Sequence, residues 1–279
     1  MKIKKIIFLT FIASQFFIFR LSAQFFDFPS HVIDKANLQV TYKITFKEDT
    51  NNLELKRQEE MYLFVGEKTS LFTSKNVYQL MYLGRIAERE GRLDSFIEEM
   101  TKGNYRARFI YSIFKNYPKG MLSYTEKVLP TFFIYEEDLA AFHWNLLNEQ
   151  DVINGYTVQK ASIQYGGRLW FAWYCPELPI SDGPYKFSGL PGLILKISDS
   201  KEHYSFEMML LERLKENVSI EFFDMDWVKT NRNDFLQAVQ NFRNDIINRA
   251  KEAGASSESQ QTAARNMMKK NNPIELRFP

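Results

Sequence analysis

Between Pro176 and Gly192 lie four of the chain's nine prolines and three of its twelve glycines. Each proline removes a backbone donor and fixes φ, so this stretch is neither a helix interior nor a central strand. It has to be a stiff, ordered loop. Leu190-Pro191-Gly192-Leu193 places Pro and then Gly at the central positions, the spacing of a type II turn. Ser181-Asp182-Gly183 reads as a second turn, with Asp182 accepting from backbone amides.

Strands flank this loop. Leu193–Ile197 (LILKI) reads as a buried strand, with Tyr204–Leu211 as its antiparallel partner. Upstream, Gly166-Gly167 separates two strand-like runs and suits a two-residue hairpin turn that needs positive φ twice. A turn centred there pairs Lys160 with Trp173, Ala161 with Ala172, Ser162 with Phe171 and Val158 with Cys175. Lys160 then lies over the Trp173 ring as a cation–π contact. On the second strand, Leu169, Phe171, Trp173 and Cys175 read as the core face. Arg168, Trp170 and Tyr174 read as the other face.

Elsewhere the periodicity also favours strands. Val40, Tyr42, Ile44 and Phe46 alternate with polar residues, and Met61, Leu63 and Val65 repeat the pattern. Further strands are expected at 109–114, 122–126 and 132–135. Leu80, Leu83, Ala87, Leu93, Ile97 and Met100 recur at helical steps over 76–100, a helical insertion weakened at Gly84 and Gly91. Phe235, Val239, Phe242, Ile246 and Ile247 mark an amphipathic helix over about 231–250. Asp224 or Thr230 could cap it, with Gly254 as its terminator. The polar segment 255–279 reads as a mobile tail.

The expected fold class is therefore α+β and β-rich: a long curved antiparallel sheet with a helical insertion and a C-terminal helix packed on it. The expected domains are a leader over 1–23, one β-rich domain over 24–254, and the tail. The leader has a basic start (Lys2, Lys4, Lys5), an apolar stretch over Ile6–Phe19 and a small residue at Ala23. That is the layout of a secretory signal peptide, cleaved near Ala23 to leave a periplasmic or secreted protein. No later stretch is apolar enough for a membrane helix.

Charge and cysteine content exclude several functions. Four of the 36 basic residues and none of the 34 acidic ones lie in the first 23, so the remainder carries a net charge of −2. No basic stripe exists for nucleic acid. Cys175 is the only cysteine, so no internal disulfide forms, and an apolar filler on a strand is its simplest role. The three histidines, His31, His143 and His203, show no metal-ligand spacing, and no G-x-S-x-G elbow occurs. Glu136-Glu137-Asp138 reads as a solvated turn or helix start. No catalytic set, metal site or cofactor is legible. The candidate binding residues are Lys160, Trp170, Trp173, Asp182, Tyr185 and Lys186, grouped by the loop and the hairpin.

The segment 144–199 resembles the GLPGLI family of exported Bacteroidota proteins. The resemblance rests on Gly155-Tyr156, Lys160-Ala161, Gly167-Arg168, Ala172-Trp173-Tyr174, Pro179, Asp182–Phe187 and above all Gly189-Leu190-Pro191-Gly192-Leu193-Ile194. It implies an exported β-rich protein of unknown activity, with no catalytic residues to carry over. Gly166, Gly167 and the Gly189–Ile194 run are its structural motif. Relatives often carry Cys at the position of Val158; here Cys175 stands opposite without a partner, which argues against a redox role. The function expected is a non-catalytic envelope binding or accessory module. Its partner would be an envelope protein, a peptide or an apolar ligand. The alternatives are a periplasmic enzyme acting on envelope peptides through Asp182, Lys186, His143 or His203, and a purely structural envelope component.

Overall fold

The structure is a computed structural model that describes residues 29–102, 106–252, 254 and 256–276. The expected signal peptide and its cleavage point lie outside the described residues. Twelve strands form one sheet: β1 (Ser30–Phe46), β2 (Arg57–Val65), β3 (Ser70–Ser74), β4 (Ser112–Lys115), β5 (Met121–Val128), β6 (Thr131–Asp138), β7 (Asn145–Ile153), β8 (Tyr156–Tyr165), β9 (Arg168–Cys175), β10 (Leu193–Asp199), β11 (Tyr204–Phe223) and β12 (Trp227–Lys229). Their spatial order is β12-β6-β5-β4-β3-β2-β1-β11-β10-β9-β8-β7. Neighbours are antiparallel except β12 and β6, which run parallel. The helices are α1 (Lys75–Arg89), α2 (Leu93–Thr101), α3 (Arg232–Asn244), α4 (Ile246–Glu252) and α5 (Ser257–Met268).

The period of two in the strands sends side chains to two separate cores. On the first face, Val40, Tyr42, Ile44, Met61, Leu63 and Phe72 join Trp170, Tyr174 and the apolar residues of the 176–192 loop. On the second face, Phe64, Leu71 and Phe114 meet Ala36, Ile220 and Phe222. The second core exists because β1 and β11 outrun their neighbours. Asn37 faces four residues of β11, since Ala36 pairs with Val218 and Leu38 with Arg213. Beyond this bulge the β1–β11 ribbon lies against the second face. The Phe222 ring packs 5.1 Å from Phe114 and 5.2 Å from Tyr117. The chain then reaches the sheet's far margin as β12.

The hairpin at Gly166-Gly167 has the expected register, from Gln159–Tyr174 to Tyr165–Arg168. Lys160 Nζ lies 5.3 Å from the Trp173 ring and 5.1 Å from Phe171. The faces of β9, however, are the reverse of the expectation. Arg168, Trp170, Ala172 and Tyr174 are buried, while Leu169, Phe171 and Trp173 are only half-buried. Both faces of β9 are apolar, so alternation alone leaves the choice open. The 176–192 loop decides it by folding onto Trp170, whose ring lies 4.9 Å from Phe187.

Three further expectations are corrected. Leu190–Leu193 is not a type II turn: Gly192 N donates to Leu190 O, closing a tight turn around Pro191, and Leu193 N donates to Leu178 O. Gly192 is required by close approach, because a Cβ there would sit 2.1 Å from Cys175 O. The C-terminal helix is capped by Asn231, whose side chain accepts from Asp234 N, and it is divided at Asp245. Its Phe235 packs on Tyr124, Phe133 and Tyr135. The segment expected to be a mobile tail contains α5 and then a strap, residues 272–276, bound into the first core. Asn272 and Glu275 are buried because buried cations and carbonyls need them as partners. The helical insertion matches its expectation, with α1 and α2 separated at Gly91 (φ +67°).

Candidate functional site

The Pro/Gly loop delivers Asp182, Tyr185 and Lys186 into the first core, and strands from both halves of the sheet meet them there. Lys186 is fully buried. Its ammonium lies 2.6 Å from Glu137 on β6 and 2.6 Å from Glu275 on the strap. The rings of Tyr135, Tyr124, Tyr185 and Tyr165 stand 4.8, 5.2, 5.5 and 5.6 Å away. Tyr185 Oη donates to Glu275 at 2.5 Å and Tyr165 Oη to Glu137 at 2.9 Å. Arg232, at the start of α3, adds a second cation 3.2 Å from Glu137 and 3.7 Å from Glu275. Two carboxylates thus balance two cations, which is what makes charge tolerable inside a core. Burial, reinforced by Glu275 or neighbouring acids, pushes the phenols of Tyr135, Tyr165 and Tyr185 well above their ordinary value. They are neutral donors. Tyr185 holds a positive φ of 55°, an uncommon state for a bulky residue, and its bond to Glu275 secures it.

A second cluster surrounds Asp182. Its carboxylate accepts from Lys115 Nζ and Ser70 Oγ, each at 2.5 Å, and from Gly183 N at 2.7 Å. Lys115 also donates to Gly183 O at 2.6 Å and Phe187 O at 3.1 Å. Burial pulls the Lys115 ammonium below its usual value, and Asp182 opposes that shift. The cluster ties β3 and β4 to the loop, so the motif bridges the two halves of the sheet.

A third cluster holds the strap. Arg168 donates to Asp199 (3.1 Å), Asn272 Oδ1 (2.7 Å), Pro273 O (2.6 Å) and Ile274 O (2.9 Å). Tyr204 Oη donates to Asn272 O at 2.6 Å, and Leu276 N to Gly166 O at 2.7 Å. Side chains at Gly166 and Gly167 would meet Glu275 and Leu276 at 2.9 Å, so the hairpin glycines serve the strap as well as the turn.

The six candidate binding residues are therefore divided. Trp170, Asp182, Tyr185 and Lys186 are buried, at 1, 8, 2 and 0% exposure. Lys160 and Trp173 lie on the opposite face of the hairpin, half-buried, with Lys160 also bonded to Glu149. The histidines join neither Asp182 nor Lys186. His143 is exposed beside β7, and His31 is exposed against Asp224 and Tyr117. His203 sits 3.5 Å from Arg168, its pKa lowered by burial against the pull of Asp199. Cys175 is buried and free. Among the described residues no group of three or more His, Cys, Asp or Glu side chains could hold a metal ion.

Glu137 is the main residue that sequence reasoning misplaces: it is no solvated turn but an inward position on β6. The signal was present, since Glu137 continues the step of two from Tyr135 on the core face. Glu275, Lys115 and Arg232 carried no comparable signal, because nothing local joins them to Lys186 or Asp182.

An accessible cleft lies on the second face. A cleft of about 300 Å³ opens between α1 and the outer stretch of β11, floored by β3 and β4. Leu71, Phe114, Tyr78 and Met81 supply its apolar lining, Thr73 and Ser112 its hydroxyls, and Arg85 and Glu221 one charged end. Tyr82, 48% exposed, stacks on Tyr78 at the rim with ring centroids 5.8 Å apart.

Comparisons with known proteins agree with the fold and are silent on chemistry. Residues 168–196 match a family described as "Protein of unknown function (Porph_ging)". No curated protein matches the chain in sequence. Solved structures with a similar fold include PNGF-II in a C2 crystal form, at 14% identity and a TM-score of 0.50 over 75% of this chain. PNGF-II in a P21 form aligns with a TM-score of 0.51, again at 14% identity over 75% of this chain. The chain spans about a third of the length of those structures (33% and 34%), so the likeness concerns the fold alone.

Proposed function

We propose that this protein is a non-catalytic binding or accessory module of the cell envelope, exported by its N-terminal leader and taking a peptide, an apolar ligand or an envelope protein as partner. One contrast carries this reading. Lys186 and Asp182, the acid–base candidates of the loop, are engaged inside the first core, whereas the cleft beside α1 lies on the other face. A general acid or base has to reach the proton it transfers, and Lys186, Asp182 and Glu275 are buried against their own partners. The Gly189–Ile194 motif that resembles the GLPGLI family lies within the matched stretch 168–196. Its residues serve the frame: the loop closes the first face, and the cleft on the second is left for a ligand.

Native mass spectrometry of the protein purified without denaturant from its own host tests the reading. An added mass of small molecule, peptide or protein is the expected result. Turnover of envelope peptides by the folded protein would overturn it.

A further inference from the structure

One wall of the cleft is a strand edge. Along one side, β11 pairs with β1 from Tyr204–Phe46 to Phe223–Ser30. Along the other, β10 pairs with it only at Ser205–Glu207. Among the described residues, the second edge of β11 from Met209 to Phe223 therefore has no ladder partner. Such an edge presents a row of unpaired N–H and C=O groups, the chemistry that an added strand satisfies. The stretch Val218–Phe223 borders the cleft and is continuous on β11; the register shift there falls at Ile33, on β1. Across from it stands α1, close enough for Arg85 to bond Glu221 at 2.5 Å. A strand laid along this edge would point alternate side chains over Leu71, Phe114, Tyr78 and Met81. The edge strand β7 differs: its register slips between Leu146 and Gln150, and it carries Glu149 and Asp151.

Charge selects among peptides. At the Phe223 end, Arg85 and Arg89 both attract the single carboxylate of Glu221. Glu216 lines the other end.

We propose that this groove binds an extended peptide by strand addition to β11, with alternate apolar side chains in the cleft and a carboxylate at Arg85 and Arg89. A backbone row six residues long favours a peptide over a compact small molecule. This deepens the binding-module reading and rests on it.

The test selects binders from a random dodecapeptide library displayed on phage, using the full exported chain as bait. Synthetic binders are then followed by hydrogen exchange and fluorescence polarisation. Recovered peptides should alternate apolar residues and carry an acidic side chain or need their free C-terminus, which an amidated copy of each peptide distinguishes. They should slow exchange of those 218–223 amides that point away from β1. Met81→Glu, which puts a charge in the cleft wall, should weaken binding at least tenfold with the thermal midpoint unchanged, and Gln164→Glu on β8 should leave binding unaltered. Failure to recover binders, or protection elsewhere, overturns the groove. So does protection, in the peptide-free protein, of those 218–223 amides that point away from β1, which would mean that a second copy or the chain preceding Pro29 already covers the edge. An added mass in native spectrometry combined with any of these outcomes leaves the binding-module reading standing; peptide turnover would remove that reading itself.

Discussion

The two faces of this sheet use the same kinds of side chain to opposite ends. On the first face, Lys186 and Glu275 are buried among four tyrosine rings, and the part-buried Glu137 and Arg232 complete the ion network. On the second, Arg85, Glu221, Tyr78 and Tyr82 line a cleft open to solvent. The difference is one of filling. A loop and a C-terminal strap occupy the first face, while a helix and a two-stranded ribbon straddle the second and leave a gap. Charged residues in a core thus mark what holds the fold, and half-exposed aromatics beside an unpaired strand edge mark the surface left open to solvent.

The largest expected effect breaks the first face. Lys186→Met leaves the buried Glu275 and the part-buried Glu137 with Arg232 as their cation, and removing one partner of a buried ion network costs about 3–5 kcal/mol. Urea unfolding should show this as a lower midpoint; a loss below about 1 kcal/mol would mean that the cage is hydrated and the contrast between the faces is false. Arg168→Met comes next, at about 3 kcal/mol, because the strap's carbonyls and Asp199 lose their donor. Limited proteolysis should then cut within 269–276 before any other site.

A pH effect sharpens the comparison. Glu59 sits at the margin of the first face, its pKa held above the ordinary 4.5 by burial, with Ser74 and the Arg108 amide opposing. Such a carboxyl binds more protons folded than unfolded, so it lowers stability as pH rises from its ordinary value through its folded one. Relative to the parent, Glu59→Gln should gain stability over that range, with a slope of at most about 1.4 kcal/mol per pH unit for one proton. A flat difference between the two proteins would refute the assignment. The smallest effect belongs to the second face: Tyr82→Ala should change stability by less than about 0.5 kcal/mol. A larger loss on thermal unfolding would make the Tyr78–Tyr82 stack part of the frame, not the rim of a site.

Local chemistry was legible where neighbours in sequence are neighbours in space. Gly166-Gly167 identified both the hairpin and its register, because a two-residue turn leaves one way to pair the strands. Gly91 divided the helical insertion for a similarly local reason. The site was half legible. The loop's prolines marked Asp182, Tyr185 and Lys186 as ordered, yet whether they faced solvent or core depended on partners 49 to 112 positions away, at Glu137, Lys115, Ser70 and Glu275. The same distance explains the inverted faces of β9 and the strap misread as a tail: Asn272 and Glu275 look like tail residues until Arg168, Tyr185 and Lys186 are placed beside them.

The amino-acid sequence by itself determined the central strands, the helical insertion, the tight hairpin and the stiff loop, since these follow from φ restrictions and from the periods of two and 3.6. Only the tertiary structure decided which face of each strand is inside, which charges are enclosed and where the cleft opens. Those outcomes turn on burial, and burial depends on contacts between distant segments that no local pattern encodes.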